Sequence, residues 1–379
     1  MADRGRGRVA QVLPWPNVGG TELQTLRLAQ TARTLGYDNL IYVPDGAESV
    51  AALFSGNGFP VLTYEQVQPS YTHPKLFWRN CRRMAASLRE HGREIVHCSD
   101  IHSAHFIGWA ARLAKARLIS HVRNHYPSIS LRDRSFLLPV ERFICVSENT
   151  RDNFAMKRGR ARARVLYDVP GIVYRPIDDR EAARRSFGLG AREHVFGMAA
   201  RVSPQKDFAS LIEAAAIVVR ELPECRFLIA GDHEIEAAHR EHFRSIEPLL
   251  ESTGMRRYFH FAGFQPDMSR FYAAIDTFVL SSNWEGLPTV VLEAAMYRRP
   301  VVSTRVGGIG EAITDGESGF LVPVKAPGEL ADRLLKLAKD AALAARFAES
   351  AGHILQDRFG EQRFQRDVDA LYSSLAPRR

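Results

Sequence analysis

Asn283-Trp-Glu-Gly-Leu-Pro-Thr-Val-Val-Leu-Glu-Ala-Ala-Met296 joins a short apolar run, 277–280, to the start of a helical stretch. Glu285 and Glu293 stand eight residues apart within it. Pro288 suits a first helical turn, because the N–H it lacks would have found no partner there. Glu285 then lies in the loop at the helix mouth, and Glu293 lies about one turn inside. The free N–H groups of such a loop and the positive end of the helix dipole make an anion site. A phosphate ringed by two carboxylates that seek hydroxyls is the chemistry a sugar nucleotide presents. By themselves, two glutamates at this spacing are more often solvated or paired helix residues, so the surrounding sequence has to decide.

The chain has 379 residues, more than a single core usually supports, and two domains are expected. Its 45% hydrophobic and 25% charged residues describe an ordinary globular chain. No stretch approaches the 18 or more apolar residues of a membrane span, and the apolar run after the basic start, 9–13, is too short for a signal segment. The four cysteines (Cys81, Cys98, Cys145, Cys225) are scattered without metal-like spacing, three of them in apolar runs. Buried free thiols in a reducing compartment are expected, and so a cytoplasmic protein. Residues 1–180 hold 26 Lys and Arg against 16 Asp and Glu, whereas 181–379 hold 25 against 27. The whole basic excess lies in the first half, where it would suit an anionic acceptor or an anionic membrane surface, or reflect arginine-rich coding alone.

Short β-rich runs alternate with amphipathic helical stretches in both halves, which argues for parallel sheets covered by helices. Strands are expected near 9–13, 39–43, 94–98, 117–121 and 143–146, then near 194–199, 226–230, 260–263, 277–280 and 301–304. Helices are expected near 21–35, 76–91, 103–116 and 149–157, then near 209–221, 235–250, 269–275 and 289–297. Two Rossmann-like domains, 1–175 and 176–358, and a final helix, 359–379, are expected. In doubly wound sheets ligands bind beyond the carboxyl ends of the strands. Arg201 and Lys206 fall directly after one such strand, and Pro14-Trp-Pro-Asn-Val-Gly-Gly-Thr-Glu22 follows another and opens a helix. Gly19 and Gly20 there let backbone approach a phosphate closely. The block is not the G-x-G-x-x-G of a dinucleotide site. The D-x-D at Asp367-Val-Asp369 lies in a terminal helix, away from any strand end, and reads as a surface pair and not a metal site.

The two glutamates have company in a fixed order: Ala200-Arg-Val-Ser-Pro-Gln-Lys-Asp207, Leu228-Ile-Ala-Gly-Asp232, Phe261-Ala-Gly-Phe264, Asp276-Thr-Phe-Val-Leu-Ser281, Pro300-Val-Val-Ser-Thr304, Gly307-Gly-Ile-Gly-Glu311 and Asp315-Gly-Glu-Ser-Gly-Phe-Leu-Val-Pro323. Together they resemble the GT4 family of retaining glycosyltransferases, whose signature is E-x7-E. The resemblance implies a GT-B architecture, α/β, with two Rossmann-like doubly wound domains facing across a cleft, 1–175 on the acceptor side and 176–358 binding the nucleotide sugar, and the final helix, 359–379, crossing back to the first. It implies that Arg201 and Lys206 bind the diphosphate and do the work of a metal, none being expected as cofactor. Glu285 would bond sugar hydroxyls, and Glu293 both ribose hydroxyls. Gly286, Leu287, Pro288 and Thr289 would bring backbone groups to the sugar and phosphate, Pro288 having no N–H to give. Phe264 would border the base, and Gly19 and Gly20 would close over the diphosphate. The family has a histidine near the reacting sugar where His121 stands, in Leu118-Ile-Ser-His-Val-Arg-Asn-His125. Arg123 is an acceptor or phosphate candidate; His97, His102 and His105 read as structural.

The implied reaction is metal-independent transfer of a hexosyl group from an NDP-sugar to an acceptor hydroxyl, in bacterial polysaccharide, lipopolysaccharide or other glycoconjugate synthesis. The acceptor is unknown, anionic or lipid-linked being open. Its rivals are a GT-B nucleotide-sugar epimerase and a non-catalytic nucleotide-sugar-binding partner subunit. Nucleic-acid binding lacks a motif and interleaved aromatics. Where relatives run into small residues after the second glutamate, this chain has Met296-Tyr-Arg-Arg299, and local repacking is expected. The helix at 76–91 aligns Phe77, Cys81, Met84 and Leu88 on one face and carries several arginines; such a stripe is more often the core face of a surface helix, with peripheral contact to an anionic membrane as the other reading.

Overall fold

The computed structural model describes residues 6–69, 74–156 and 162–375. The chain divides into two compact units, 1–171 with 360–379, and 172–359.

In the first unit, seven strands among the described residues form one all-parallel sheet: β1 (Gly7–Val12), β2 (Tyr37–Pro44), β3 (Val61–Tyr64), β4 (Ile95–Cys98), β5 (Arg117–Val122), β6 (Arg142–Cys145) and β7 (Arg164–Val165). Their order is β3-β2-β1-β4-β5-β6-β7, so the winding reverses between β1 and β4. The strands are near-continuous apolar runs because both faces are covered. On one face the core includes Phe77, Cys81, Met84, Leu88, Phe106, Phe136 and Phe143. Phe77, Cys81, Met84 and Leu88 are therefore the core face of the helix Pro74–Glu90, the first of the two readings of that stripe. On another face Val9, Tyr37, Ile95, Ile119 and Ile144 are covered by Phe364, Val368, Leu371 and Tyr372 of the helix Glu361–Ser373. That helix belongs to the first unit although 188 residues of the second separate it from Gly171.

The second unit holds, among the described residues, β8 (His194–Ala199), β9 (Cys225–Ala230), β10 (Phe259–Phe261), β11 (Thr277–Leu280), β12 (Val301–Thr304) and β13 (Phe320–Val322). They run parallel in the order β10-β9-β8-β11-β12-β13, and here the winding reverses between β8 and β11. Phe196, Phe227, Phe259 and Phe278 are buried along the strands.

The strands expected near 94–98, 117–121, 143–146, 194–199, 226–230, 277–280 and 301–304 are present within a residue or so. The helix expected near 149–157 forms only at Glu148–Asp152, and residue 157 lies outside the described ones. All four cysteines are buried and free. Burial pushes the Cys81, Cys98 and Cys145 thiols up to about 12. No helix of the described residues is long and apolar enough to cross a membrane.

Candidate active site

In the second unit the loops after β8 and β11 leave the sheet on either side of the switch point, the place where an open α/β sheet binds its ligand. They are laced together. Ser281 Oγ donates to the Lys206 carbonyl at 2.8 Å, the Asn283 N–H to the Gln205 carbonyl at 2.8 Å, and Thr304 Oγ1 to the Ser282 carbonyl at 2.6 Å. Glycine is required where two chains cross. A Cβ on Gly231 would lie 2.0 Å from the Ala200 carbonyl oxygen, and one on Gly307 would lie 2.2 Å from that of Glu285.

Glu285 is buried inside this lacing. Its Oε1 pairs with Lys206 Nζ and accepts from Ser282 Oγ at 2.7 Å, while Gln205 Nε2 reaches Oε2 at 3.3 Å. The two residues expected to take separate parts of a ligand are thus partners of each other. Arg201 is exposed and has no ion pair among the described residues. Gly286, Leu287 and Pro288 are buried and Thr289 half-buried, and the Gly308 N–H holds the Gly286 carbonyl at 2.6 Å. Pro288 is the N-cap of the helix Thr289–Met296, one position earlier than expected. Phe264 is 55% exposed, free to meet a flat ligand.

Glu293 lies past the first turn of that helix, also buried, and its Oε2 accepts the Tyr272 hydroxyl at 2.8 Å. Burial, and then the Glu293 charge, raise the Tyr272 phenol well above its usual range, so it stays a donor. The unusual segment after the helix supports this pair. The Tyr297 ring lies 5.2 Å from that of Tyr272 at 14°, and its hydroxyl donates to Ser269 Oγ at 2.8 Å and accepts from the Arg175 N–H at 3.0 Å. Arg298 takes a left-handed backbone with φ 54°, ending the helix, and burial brings the Arg299 guanidinium down to about 10.

Asp232, Glu236 and His239 bring one potential metal-ligand atom each within 4.8 Å of one another. Both Asp232 oxygens are already engaged: Oδ1 accepts from the N–H groups of Glu234 and Ile235, and Oδ2 from that of Glu236 and from His239 Nδ1. Burial works against ionisation, but these donors prevail and hold the carboxyl at about 2. The cluster acts as a clasp for the loop after β9.

In the first unit His121 is buried near the end of β5, and its Nδ1 lies 2.8 Å from His97 Nε2 on β4. His97 Nδ1 lies 2.8 Å from the Tyr372 hydroxyl, which also accepts from Gln11 Nε2 at 2.9 Å. Burial, followed by the Arg123 charge, brings His97 down to about 3 and His121 well below 6.5, so both rings are neutral. Arg123 itself is committed to Asp168 and, through Nε at 2.9 Å, to the Ser99 carbonyl. Gly19 is the N-cap of the helix Gly20–Thr34, and its N–H is held by Glu22 Oε2 at 3.0 Å, so a carboxylate of the chain already sits at that helix mouth.

Sequence reasoning missed the partners in both units: Tyr272 and Tyr297 behind Glu293, and His97 and Tyr372 behind His121. It also missed Asp100, which takes His102 Nδ1 at 2.8 Å and the Tyr126 hydroxyl at 3.1 Å, with the exposed Trp15 ring 5.0 Å from His102. The Ser-Asp pair that follows β4 and opens a helix is the capping signal that could have found it.

Residues 18–168 match the model described as Glycosyltransferase Family 4, and residues 179–353 match Glycosyl transferases group 1. The chain is 32% identical over 174 residues to an alpha-D-kanosaminyltransferase of Streptomyces kanamyceticus, covering 45% of this chain and 43% of that one. It is 30% identical over 223 residues to a D-inositol 3-phosphate glycosyltransferase of Corynebacterium urealyticum, covering 56% and 52%. The chain thus spans about half the length of the curated relatives it matches first. Anabaena HepE, solved in complex with UDP-glucose, superposes with a TM-score of 0.84 at 22% identity over 97% of this chain and 100% of that one. Two parallel-sheet Rossmann-like domains, a GT-B fold shared with such structures, and two successive family models that together match most of the chain give one conclusion: the chain belongs to the family 4, group 1 glycosyltransferases.

Proposed function

We propose that the protein is a retaining glycosyltransferase that moves a hexosyl group from a nucleoside-diphosphate sugar to an acceptor hydroxyl without a metal cofactor. The observation that carries this reading is the Lys206–Glu285 pair at the switch point, with Glu293 one helix turn away. It brings a cation for a phosphate and two carboxylates for hydroxyls to one edge of one sheet. Relatives named as glycosyltransferases, and HepE crystals that hold UDP-glucose, support a nucleotide-sugar donor.

In the proposed reaction the bond from the anomeric carbon to the β-phosphate oxygen breaks, and a bond to the acceptor oxygen forms on the same face. The acceptor's proton passes to the departing phosphate. Lys206 and Arg201 offset the charge that builds on that phosphate; each cation 4 Å away contributes roughly 4 kcal/mol at an effective dielectric of about 20, before screening. The N-terminus of the helix Thr289–Met296 adds its dipole. Glu285 orients sugar hydroxyls and Glu293 the ribose. An acceptor in lipopolysaccharide, polysaccharide or another glycoconjugate fits the family.

The test is the thermal shift of the purified protein with UDP, GDP, ADP, dTDP and NAD, with and without EDTA. A ligand at 100 times its Kd adds about 2.7 kcal/mol of stability. Stabilisation by one nucleoside diphosphate, unchanged by EDTA, is the expected result and names the base. A shift with NAD alone, or one abolished by EDTA, overturns the reading.

A further inference from the structure

The hydrogen bonds behind His121 run in one direction, and a backbone carbonyl fixes that direction. Asn39 Nδ2 lies 3.1 Å from the Tyr37 carbonyl oxygen, which can only accept, so the Asn39 amide nitrogen faces it and Oδ1 points the other way. Oδ1 lies 3.1 Å from Gln11 Nε2, which must therefore be the Gln11 nitrogen; a flipped amide would set two oxygens against each other. The same nitrogen gives its second hydrogen to the Tyr372 oxygen at 2.9 Å. The Tyr372 hydrogen is left for His97 Nδ1, 2.8 Å away. A neutral His97 that accepts at Nδ1 carries its hydrogen on Nε2, and that nitrogen lies 2.8 Å from His121 Nδ1. The two ring planes are within 8° of parallel, and 2.8 Å is shorter than any stacking separation, so the contact is an end-on hydrogen bond. His121 then accepts at Nδ1 and carries its own hydrogen on Nε2. That atom is buried and meets no partner among the described residues.

We propose that Asn39, Gln11, Tyr372 and His97 form a one-way relay that fixes His121 as the Nε2–H tautomer, so that His121 meets its ligand as a hydrogen-bond donor and never as a base. The group that meets it must bring an acceptor oxygen, a sugar hydroxyl or a phosphate; naming that oxygen as part of the donor sugar rests on the proposed function, whereas the tautomer does not. The arrangement is kept at a cost, since Gln11 Oε1 is buried without a partner among the described residues while its nitrogen serves two acceptors. Burial keeps both rings from taking a second proton, and the reverse order, with Tyr372 accepting from His97 as well as from Gln11, would leave the buried phenol hydrogen without an acceptor among the described residues. Tyr372 and His97 are positioning residues, acting through His121.

The experiment is the two-bond proton–nitrogen spectrum of the full chain labelled with 15N only in histidine, at neutral pH, with the His121 signals assigned by their loss in His121→Gln. The wild-type protein is expected to show both His97 and His121 protonated at Nε2 and bare at Nδ1. Tyr372→Phe keeps the ring and removes the hydrogen that starts the chain, and it is expected to shift His121 toward the Nδ1–H form. A wild-type His121 protonated at Nδ1 overturns the proposal without any variant being made. A His121 pattern unchanged in a folded Tyr372→Phe overturns the relay as its cause. Adding the nucleotide sugar is expected to move the Nε2 proton signal without changing the tautomer; loss of that hydrogen on binding overturns the donor role. If no nucleotide sugar binds, the proposed function falls while the tautomer result stands on its own.

Discussion

Tyr272 reaches Glu293 across 2.8 Å, phenol to carboxylate, inside the second unit where both side chains are buried. It orients one carboxylate oxygen from behind, and Tyr297 packed on its ring holds it there. A hydrogen bond to a charged group is worth roughly 1.5–3 kcal/mol. Tyr272→Phe is expected to weaken binding of the preferred nucleoside diphosphate by about ten-fold or more, a factor of ten being about 1.4 kcal/mol. Titration calorimetry of the folded variant checks it; an unchanged Kd would show that Glu293 does not hold the ribose through this geometry.

Lys206→Ala and Glu285→Gln each break the pair at the switch point. Glu285 keeps Ser282 and Gln205 as donors, so Lys206→Ala is expected to leave a folded protein. Turnover should fall at least about a hundred-fold in either variant, the scale on which removal of one electrostatic stabiliser acts. Initial rates of sugar transfer at saturating donor decide it, and wild-type rates in both variants would remove the site assignment.

His97 and His121 are neutral because burial and Arg123 depress their proton affinity. The unfolded chain, with histidines near 6.5, binds more protons below that pH than the folded one does. Their contribution to stability is thus complete above about pH 6.5 and is lost as the pH falls toward the folded value of His97, about 3. The groups facing them are Arg123 and Tyr372; His102, raised by Asp100, works in the opposite sense. Urea unfolding should lose on the order of 1 kcal/mol per pH unit per histidine between pH 6 and pH 4.5. A flat profile there refutes the buried neutral pair.

Phe364 is buried against the first unit's sheet from the helix Glu361–Ser373. Phe364→Ala should cost about 3–5 kcal/mol, the usual range for a buried phenylalanine. Denaturant midpoints of variant and wild type measure it. A loss below about 1 kcal/mol would mean that the helix adds little to that core.

Much of the fold could be read in advance because both sheets are parallel and covered on two faces, which makes their central strands continuous apolar runs such as those at 95–98, 277–280 and 301–304. The edge strands of the first sheet escape that signal. Val61–Tyr64 is only partly buried, and Arg164–Val165 is two residues long. The helices Pro327–Lys339 and Ala341–Phe359 were legible in their apolar spacing, with Leu330, Leu334 and Leu337 on one face, but the sequence reading assigns nothing there. At the candidate site Glu285, Lys206 and His121 stand out because each follows or ends a strand, and Glu293 because it stands eight residues after Glu285 in the helix that opens there. Their partners do not. His97 and His121 are 24 residues apart and Tyr372 a further 251, and such a meeting depends on sheet order and on the return of the chain, neither of which spacing encodes.

The return of the chain to its first unit also orders events during synthesis. Residues 361–375 leave the ribosome only after all of 172–359 has been made, on the order of ten seconds or more at typical elongation rates. Until then the nascent first unit shows the apolar face around Val9, Ile95, Ile119 and Ile144 uncovered, a natural substrate for chaperones. It also lacks the phenol that starts the proton order of its histidines. The second unit can mature while the first waits, and the polarity of His121 is among the last features of the molecule to be written.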